Sequence, residues 1–362
     1  MSIRRSCTLL IARSSAASWL RRAGVGMRAG RSMKRRQDML LFTLEASRAL
    51  GEAVAGHLGC ALGRIEEREF DGGEHKVRTL DEVGGRDVYV LHSLHAEPGN
   101  SANDKLVRLL FFFNSLKDAG AGRVTAIVPY LAYSRKDRRT KPRDPVNSRY
   151  VATLFEAVGT DRMVTLEVHN VSAFENAFRL CRPEHVPSAG LFADFLAGEL
   201  TGAEVAVVSP DAGANKRAEL LRHELEKRLN RPVGKAIMDK HRSMGVVSGN
   251  LFAGDLRGRT AIIFDDLIAS GTTIVRAAKA SREAGASRVI AAAAHGMFPA
   301  DSPLFGPDGP DRLLVTDSIP LAADLPAHAR AMIAIVSASG LLGDIISCID
   351  RGDAVSDLIV YD

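Results

Sequence analysis

The chain has 362 residues, which is long enough for two domains of ordinary size. With 46% hydrophobic and 25% charged residues it has the composition of a soluble globular protein, and no apolar run approaches the roughly 20 residues that a membrane helix needs, so we expect no membrane partner. The four cysteines are far apart and include no CxxC pair, which favours neither a zinc site nor a disulfide framework. A reducing compartment fits this cysteine usage, and we expect a cytoplasmic protein.

The net charge of +5 is unevenly distributed along the chain. No acidic residue precedes Asp38, whereas arginines accumulate before it. One interpretation of residues 1–38 is a disordered or targeting segment, such as an organellar transit peptide. The other is an upstream extension from a misplaced start, with Met33 or Met39 as the true beginning. We favour the extension and exclude this segment from the fold. Without it most of the basic excess disappears, so we expect no nucleic-acid partner.

Short β-type runs alternate with helical stretches from Met39 onwards. In the first half the pattern predicts strands at 40–43, 86–91, 124–129 and 163–168, and helices at 46–58, 103–119 and 145–158. In the second half it predicts strands at 204–209, 261–264, 288–294 and 312–316, and helices at 191–200, 216–229, 274–284 and 341–349.

This alternation predicts an α/β fold with parallel sheets covered by helices. Because the pattern runs twice, we expect two similar domains, each a mainly parallel sheet flanked by helices. We place the first at 39–185 and the second at 186–336. The remaining segment, 337–362, is expected to pack back on the first domain.

A short apolar run at 261–264 is followed by two carboxylates, Asp265 and Asp266, and then by a turn of small residues before a helix. The turn consists of Ala269, Ser270, Gly271, Thr272 and Thr273. A strand that ends in such a turn offers unpaired backbone N–H groups to an anion, and adjacent carboxylates can accept hydrogen bonds from two sugar hydroxyls. Phosphate on one side and a diol on the other describe a cradle for ribose 5-phosphate. The alternative is a plain strand–turn–helix connection with an aspartate cap, which explains one carboxylate but not both.

A second segment, 128–139, predicts a strand followed by a basic loop. Its cations can bind phosphate oxygens, and Tyr130 and Tyr133 offer faces on which a base can stack. A solvated loop or a nucleic-acid patch explains the same composition.

Several motifs in the same order resemble the ribose-phosphate diphosphokinases, also called phosphoribosyl-diphosphate (PRPP) synthetases. The cradle segment resembles the PRPP-binding loop that this family shares with type I phosphoribosyltransferases. The matching segments are Phe-Asp-Gly-Gly-Glu at 70–74, Asn-Asp-Lys-Leu at 103–106, Tyr-x-x-Tyr-x-Arg-x-Asp-Arg at 130–138, Leu-Glu-Val-His at 166–169, Ser-Pro-Asp-Ala-Gly at 209–213 with Lys-Arg at 216–217, Lys-His-Arg at 240–242, and 315–320 with 336–338 near the end. The resemblance covers about 39–362 and implies two phosphoribosyltransferase-like domains.

The family resemblance implies that the protein transfers the diphosphoryl group of ATP to C1 of ribose 5-phosphate, giving PRPP and AMP in a step of nucleotide biosynthesis. It implies that ATP is bound by Arg135, Lys136 and Asp137, together with Phe70, Gly72, Gly73 and Glu74 of a neighbouring subunit. It assigns ribose 5-phosphate to the cradle, Mg²⁺ to His169 and Asp211, and transition-state stabilisation to Lys240 and Arg242 of a flexible loop. A homo-oligomer, a dimer or a hexamer, follows from the shared ATP site.

Alternatives remain for individual residues and for the whole chain. His169 can be a satisfied core histidine and Asp211 a simple turn residue. The family usually has Asp or Asn at the position of Gly72, Gln at the position of Lys136 and Asp at the position of Glu167. These differences leave the choice of diphosphoryl donor open. A type I phosphoribosyltransferase would use the same cradle, and a non-catalytic regulatory homologue would keep the same fold.

Overall fold

The computed structural model describes residues 39–243 and 246–359, and side chains at 239–252 lie outside the description. The predicted N-terminal extension, 1–38, also lies outside it. Two parallel sheets, one in each half of the chain, organise the described residues.

The first sheet has five strands in the order β1-β4-β5-β6-β7, and all neighbours are parallel. Its strands are β1 (Met39–Thr43), β4 (Asp87–Leu91), β5 (Arg123–Ile127), β6 (Arg162–Leu166) and β7 (Arg182–Val186). The helices of this half are α1 (Arg48–Leu58), α2 (Ala102–Asp118), α3 (Asn147–Ala157) and α4 (Val171–Glu175). A separate antiparallel hairpin is formed by β2 (Ile65–Glu69) and β3 (His75–Thr79).

The second sheet has seven strands in the order β10-β9-β8-β11-β12-β13-β14. Its strands are β8 (Val205–Ser209), β9 (Gly234–Ser243), β10 (Val246–Ala253), β11 (Thr260–Ile268), β12 (Arg288–Gly296), β13 (Arg312–Thr316) and β14 (Ile333–Val336). The helices are α5 (Ala189–Glu199), α6 (Asn215–Leu229), α7 (Thr272–Glu283), α8 (Ala327–Met332) and α9 (Ser339–Arg351). Only β9 and β10 pair antiparallel in this sheet.

Both faces of each sheet are buried, which explains why its central strands read as nearly continuous apolar runs. In β4, Val88 and Val90 enter one apolar cluster, while Tyr89 and Leu91 enter another on the opposite face. All five residues of β8 are buried. Successive side chains of a strand point to opposite faces, so such runs supply both cores at once.

Helix boundaries follow local sequence signals. Ser101 begins α2 with a capping box, in which its hydroxyl accepts from the Asp104 N–H while the Asp104 carboxylate accepts from the Ser101 N–H. Gly59 ends α1, and Gly352 ends α9, both in the left-handed conformation that glycine adopts easily.

The last helix, α9, packs against α1 and completes the core of the first half. Its apolar side chains, among them Leu342 and Ile346, join the cluster that contains Leu50 and Val54 of α1. At the contact, Nε2 of His57 lies 2.8 Å from Oδ1 of Asp344. The chain therefore returns to its first half after completing the second sheet.

The strands and helices predicted from the sequence occur with small shifts of their ends, but several predictions need correction. The strand predicted at 261–264 continues to Ile268, because its pairing with β12 extends to Gly296. The segment that carries Lys240 and Arg242 was predicted as a flexible loop, and its backbone instead forms part of strand β9. Among the described residues no helix is long and apolar enough to cross a membrane.

Close packing of α9 on α1 gives a prediction at Gly343. A Cβ atom added there would lie 2.5 Å from Cδ2 of the His57 ring, so the ring would have to leave its position beside Asp344 or the helices would have to shift. We expect Gly343→Ala to lower the free energy of unfolding by about 1–3 kcal/mol, the typical effect of overpacking. The matched control is Gly56→Ala in α1, where an added Cβ meets nothing within 4 Å. There the gain in helix propensity should stabilise by up to about 1 kcal/mol. Chemical denaturation measures both, and stabilisation by both substitutions would contradict the packing account.

Candidate active site between the two sheets

A cleft lies where the carboxyl ends of the two sheets face each other. Its empty volume is about 230 Å³, part of which is open to solvent. The lining residues are Tyr130, Leu131, Ser134, Arg135, Thr165, Leu166, Glu167, Val168, Asp266, Leu267 and His295. The first eight come from the ends of β5 and β6 in one half, and the others from β11 and β12 in the other. Carboxyl ends of parallel strands are where α/β sheets bind ligands.

Buried polar contacts hold the two halves together beside this cleft. Nε2 of the buried His295 donates to the carbonyl oxygen of Leu166 over 3.0 Å, and Nδ1 lies 2.8 Å from the Ser318 hydroxyl oxygen. The Ser93 hydroxyl donates to the carbonyl oxygen of Ser318 over 2.5 Å. Burial lowers the pKa of His295, which favours its neutral form. No motif in the sequence indicates this role for His295.

The predicted phosphate turn lies at the start of α7. Gly271 caps this helix with φ = 84° and brings no capping side chain, and the N–H of Thr272 has only a long 3.5 Å contact with the Ser270 hydroxyl oxygen. An added Cβ at Gly271 would lie 2.4 Å from Cγ of Leu304, so this position needs glycine for space as well as for its backbone conformation. The turn is fixed from outside by the Ser302 hydroxyl, which donates to the carbonyl oxygen of Ser270 over 2.9 Å. N–H groups in such a fixed turn can donate hydrogen bonds to a bound anion.

The two cradle carboxylates lie inside strand β11 rather than after it. Arg217 of α6 contacts both: Nη1 lies 3.3 Å from Oδ1 of Asp265 and forms a closer ion pair with Oδ1 of Asp266. Nδ1 of His169 donates to Oδ2 of Asp266 over 3.0 Å. Asp266 is buried with both carboxylate oxygens engaged, and Asp265 is nearly as enclosed, with 17% of its side chain exposed.

These contacts separate the acidities of the two carboxyl groups. Burial, and then the charge of Asp266, raises the pKa of Asp265 well above its ordinary value. Burial acts on Asp266 in the same direction, but the hydrogen bond from His169 and the charge of Arg217 outweigh it, and its pKa is well below the ordinary value. The two groups titrate as a pair, because adjacent buried carboxylates resist a second negative charge.

The structure allows His169 and Asp211 to act as metal ligands but does not gather a complete ligand set. Since Nδ1 of His169 donates to Asp266, its Nε2 is the nitrogen that can offer a lone pair. One oxygen of Asp211 accepts from the N–H groups of Gly213 and Ala214, as in a simple turn. Within the described residues no three His, Cys, Asp or Glu side chains gather around a possible metal position. Mg²⁺ commonly keeps several waters and needs only one or two protein carboxylates together with substrate phosphates.

Glu167 lines the cleft, but its carboxylate is engaged with the beginning of the second half of the chain. Its Oε2 accepts from both the N–H and the hydroxyl of Ser188, each over 2.7 Å. The residue has φ = 45°, an unfavourable backbone conformation for a glutamate. Glu167 therefore secures the junction of the two halves just before α5.

The basic loop borders the cleft at Arg135. The neighbouring cation, Lys136, forms an ion pair with Asp144, with 2.6 Å between Nζ and Oδ2. Asp137 accepts from Nδ2 of Asn170 over 2.6 Å. Lys136 and Thr140 together hold the pKa of Asp144 below its ordinary value. The loop is thus ordered by its own acidic residue, and the charge of Lys136 is balanced.

The segment 70–74 joins β2 to β3 and stands away from the cleft. Phe70 is 43% exposed, and the guanidinium of Arg68 lies 5.0 Å from its ring centroid. Gly72 and Gly73 have φ values of 84° and 86°, which form the tight connection before Glu74. The cleft lining within the described part of the chain includes none of this segment. The side chains of Lys240 and Arg242 lie outside the described residues.

Two family models match the chain. The N-terminal domain of ribose phosphate pyrophosphokinase matches residues 39–159, and the phosphoribosyl synthetase-associated domain matches residues 224–360. The ribose-phosphate pyrophosphokinase of Chromobacterium violaceum is 35% identical over 324 residues, which are 89% of this chain and 94% of the relative. The chain belongs to the ribose-phosphate pyrophosphokinase family.

Other relatives of the family agree with this result. The ribose-phosphate pyrophosphokinase of Burkholderia pseudomallei is 34% identical over 333 residues, covering 90% of this chain and 99% of the relative. The crystal structure of phosphoribosylpyrophosphate synthetase from Mycobacterium smegmatis superimposes with a TM-score of 0.77 at 30% identity, over 87% of this chain and 99% of that chain. The predicted family and the predicted pair of phosphoribosyltransferase-like domains are thereby confirmed.

The position of Asp265 in the cradle gives a prediction about acceptor binding. We expect Asp265→Asn to weaken binding of ribose 5-phosphate about 10-fold or more, because the amide replaces one oxygen of the carboxyl group by an NH₂ group, which cannot accept a hydrogen bond from the diol. Isothermal titration calorimetry measures the dissociation constant directly. Asp301→Asn, at an exposed position of the same half, is the control and should bind like wild type. Equal affinity in wild type and Asp265→Asn would show that this carboxylate does not bind the ribose diol.

Proposed function

We propose that this chain is a ribose-phosphate diphosphokinase. The C1 hydroxyl oxygen of ribose 5-phosphate attacks the β-phosphorus of ATP, and the bond from that phosphorus to the α–β bridging oxygen breaks. AMP leaves, the diphosphoryl group stays on C1 as PRPP, and the hydroxyl proton passes to solvent or to a nearby base. The observation that carries the proposal is that the cradle carboxylate Asp266 and Arg135 of the basic loop line one cleft.

The second half of the chain is proposed to hold the acceptor. The N–H groups and hydroxyls of the turn 269–273 bind the 5-phosphate, and the carboxylates of Asp265 and Asp266 face the ribose diol. Diphosphoryl transfer asks little covalent chemistry of a protein and depends on in-line positioning and on neutralising charge spread over oxygens. A fixed turn beside oriented carboxylates supplies the positioning.

The first half is proposed to hold the diphosphoryl donor. Arg135, Lys136 and Asp137 would bind ATP, and His169 and Asp211 would hold Mg²⁺. Because the charge of Lys136 is balanced by Asp144, we assign the main phosphate contact to Arg135. A metal ion here would neutralise phosphate charge and align the donor with the acceptor hydroxyl.

Product analysis tests the reaction itself. Purified protein with ATP, ribose 5-phosphate and Mg²⁺ should form AMP and PRPP in equal amounts, and a chelator of divalent cations should stop the reaction. Protein that instead consumes PRPP in the presence of a nucleobase would be a phosphoribosyltransferase. Protein that binds nucleotide without forming either product would be a non-catalytic homologue.

The transition-state role proposed for Lys240 gives a kinetic prediction. Lys240→Ala should lower kcat by about 10²-fold, the usual effect of losing one preorganised charge contact. The KM for ribose 5-phosphate should change little, because that contact forms mainly in the transition state. Lys235→Ala is the matched control on the same strand, since Lys235 pairs with Glu219 at 2.8 Å. An unchanged kcat in Lys240→Ala would remove this residue from the mechanism.

We also propose a homo-oligomer, a dimer or a hexamer, in which the segment 70–74 of one subunit completes the ATP site of another. The exposed Phe70 ring and the separation of this hairpin from its own cleft support the arrangement. We also propose a cytoplasmic location, because four dispersed cysteines fit a reducing compartment.

The shared site predicts complementation between two inactive variants. Arg135→Ala and Glu74→Ala should each abolish most activity, whereas co-expressed subunits form mixed assemblies with some intact composite sites. Random pairing in a two-fold interface restores up to about a quarter of wild-type activity. Differently tagged subunits purified in tandem show whether mixing occurred. Mixed assemblies without activity, or a fully active monomer in light scattering, would contradict the shared site.

A further inference from the structure

The contacts of Arg217 point to a role that rests on the proposed function and extends it. We propose that Arg217 is a positioning residue: it orients the carboxylates of Asp265 and Asp266 for the ribose diol while it holds the second half of the chain against the first.

Arg217 is largely buried and lies where the two halves of the chain meet. It lies in the first turn of α6, and its side chain is only 11% exposed. Nη1 faces the two carboxylates of β11, while Nη2 donates to the carbonyl oxygen of His169 over 3.0 Å. One guanidinium therefore contacts both halves of the chain at the mouth of the cleft.

These contacts close a ring of three residues. Arg217 donates to the His169 backbone, the His169 ring donates to Asp266, and Asp266 pairs with Arg217. In such a ring each member restrains the other two, because no single contact can lengthen without straining its neighbours. The cradle carboxylates are thereby held in place before substrate arrives, which reduces the ordering that binding must otherwise impose.

The charge of Arg217 is as important as its geometry. Burial disfavours its charged form, but Asp266, Glu167 and Asp265 outweigh burial and raise its pKa. Adjacent buried carboxylates repel one another, and removing a buried counter-ion is strongly destabilising for the charges left behind. Without Arg217 the two carboxylates lose the contact that fixes their orientation and can rotate away from the cleft, which removes acceptors from the diol.

Arginine suits this position better than lysine does. The planar guanidinium presents several N–H groups in a fixed fork, so that it can serve carboxylates on one edge and a carbonyl oxygen on another. A lysine would keep the charge, but its single ammonium group lacks the separate edges that contact the carboxylates and the carbonyl oxygen. Arg217→Lys should therefore fold and still bind ribose 5-phosphate several-fold more weakly than wild type.

The test compares Arg217→Gln and Arg217→Lys with Arg222→Gln. Arg222 lies on the same helix with a similarly buried side chain, 18% exposed, and pairs with Glu219 and Glu226 away from the cleft. We expect Arg217→Gln to raise both the dissociation constant and the KM for ribose 5-phosphate at least 10-fold, with the KM for ATP within about two-fold of wild type. Arg222→Gln should match wild type in all three quantities.

The results for the Arg217 variants test the positioning role of Arg217 independently of the proposed reaction. Wild-type affinity for ribose 5-phosphate in Arg217→Gln overturns the positioning role, and so does an equal loss of affinity for both substrates, which general misfolding would cause. If Arg217→Gln does not fold, Arg217→Lys decides, and wild-type kinetics in that variant overturn the role. Failure of the wild-type protein to form PRPP would instead refute the reaction, while calorimetry of ribose 5-phosphate would still test the cradle.

Discussion

The ion pair between Arg217 and the carboxylates of β11 is the contact on which the site depends. Two parallel sheets are brought together with their carboxyl ends facing, and that arrangement places acidic side chains in a region that is largely withdrawn from water. Burying carboxylates without a partner is expensive, so the junction requires a cation. Arg217 supplies it and also contacts the His169 backbone, which makes one residue both the counter-ion and the link between halves.

Other buried polar groups near this ion pair also form hydrogen bonds between the two halves of the chain. His295 spans from Ser318 to the carbonyl oxygen of Leu166, and Glu167 accepts two hydrogen bonds from Ser188. The unfavourable backbone conformation of Glu167 persists because the surroundings fix it, as is common near functional sites. Together these contacts join the two halves of the chain beside the cleft.

Periodicity predicted most of the fold because both sheets are covered on both faces. Their central strands must be apolar, and the intervening helices must be amphipathic, so the pattern is strong. It failed mainly at strands that carry polar residues. Edge strand β7 contains Pro183 and charged side chains, and β9 with β10 passes through a stretch rich in glycine, serine and lysine. Such strands form because a neighbouring strand supplies backbone hydrogen bonds. The hydrophobic pattern of a strand's own sequence does not show that partner.

The candidate site was predictable where a motif is local and not where it depends on distant partners. The cradle turn and both carboxylates lie within nine residues of sequence, 265–273, so their chemistry was visible. Arg217 meets its acidic partners across 48 residues, and His169 meets Asp266 across 97. Nothing in local spacing indicates such pairings, which arise only when the two sheets come together.

A crystal structure of the protein with ribose 5-phosphate tests the account most directly. The account predicts the 5-phosphate on the N–H groups at the start of α7, with the ribose hydroxyls within hydrogen-bonding distance of Asp265 and with Arg217 still paired to Asp266. A phosphate bound elsewhere, or ribose hydroxyls that contact neither cradle carboxylate, would contradict it.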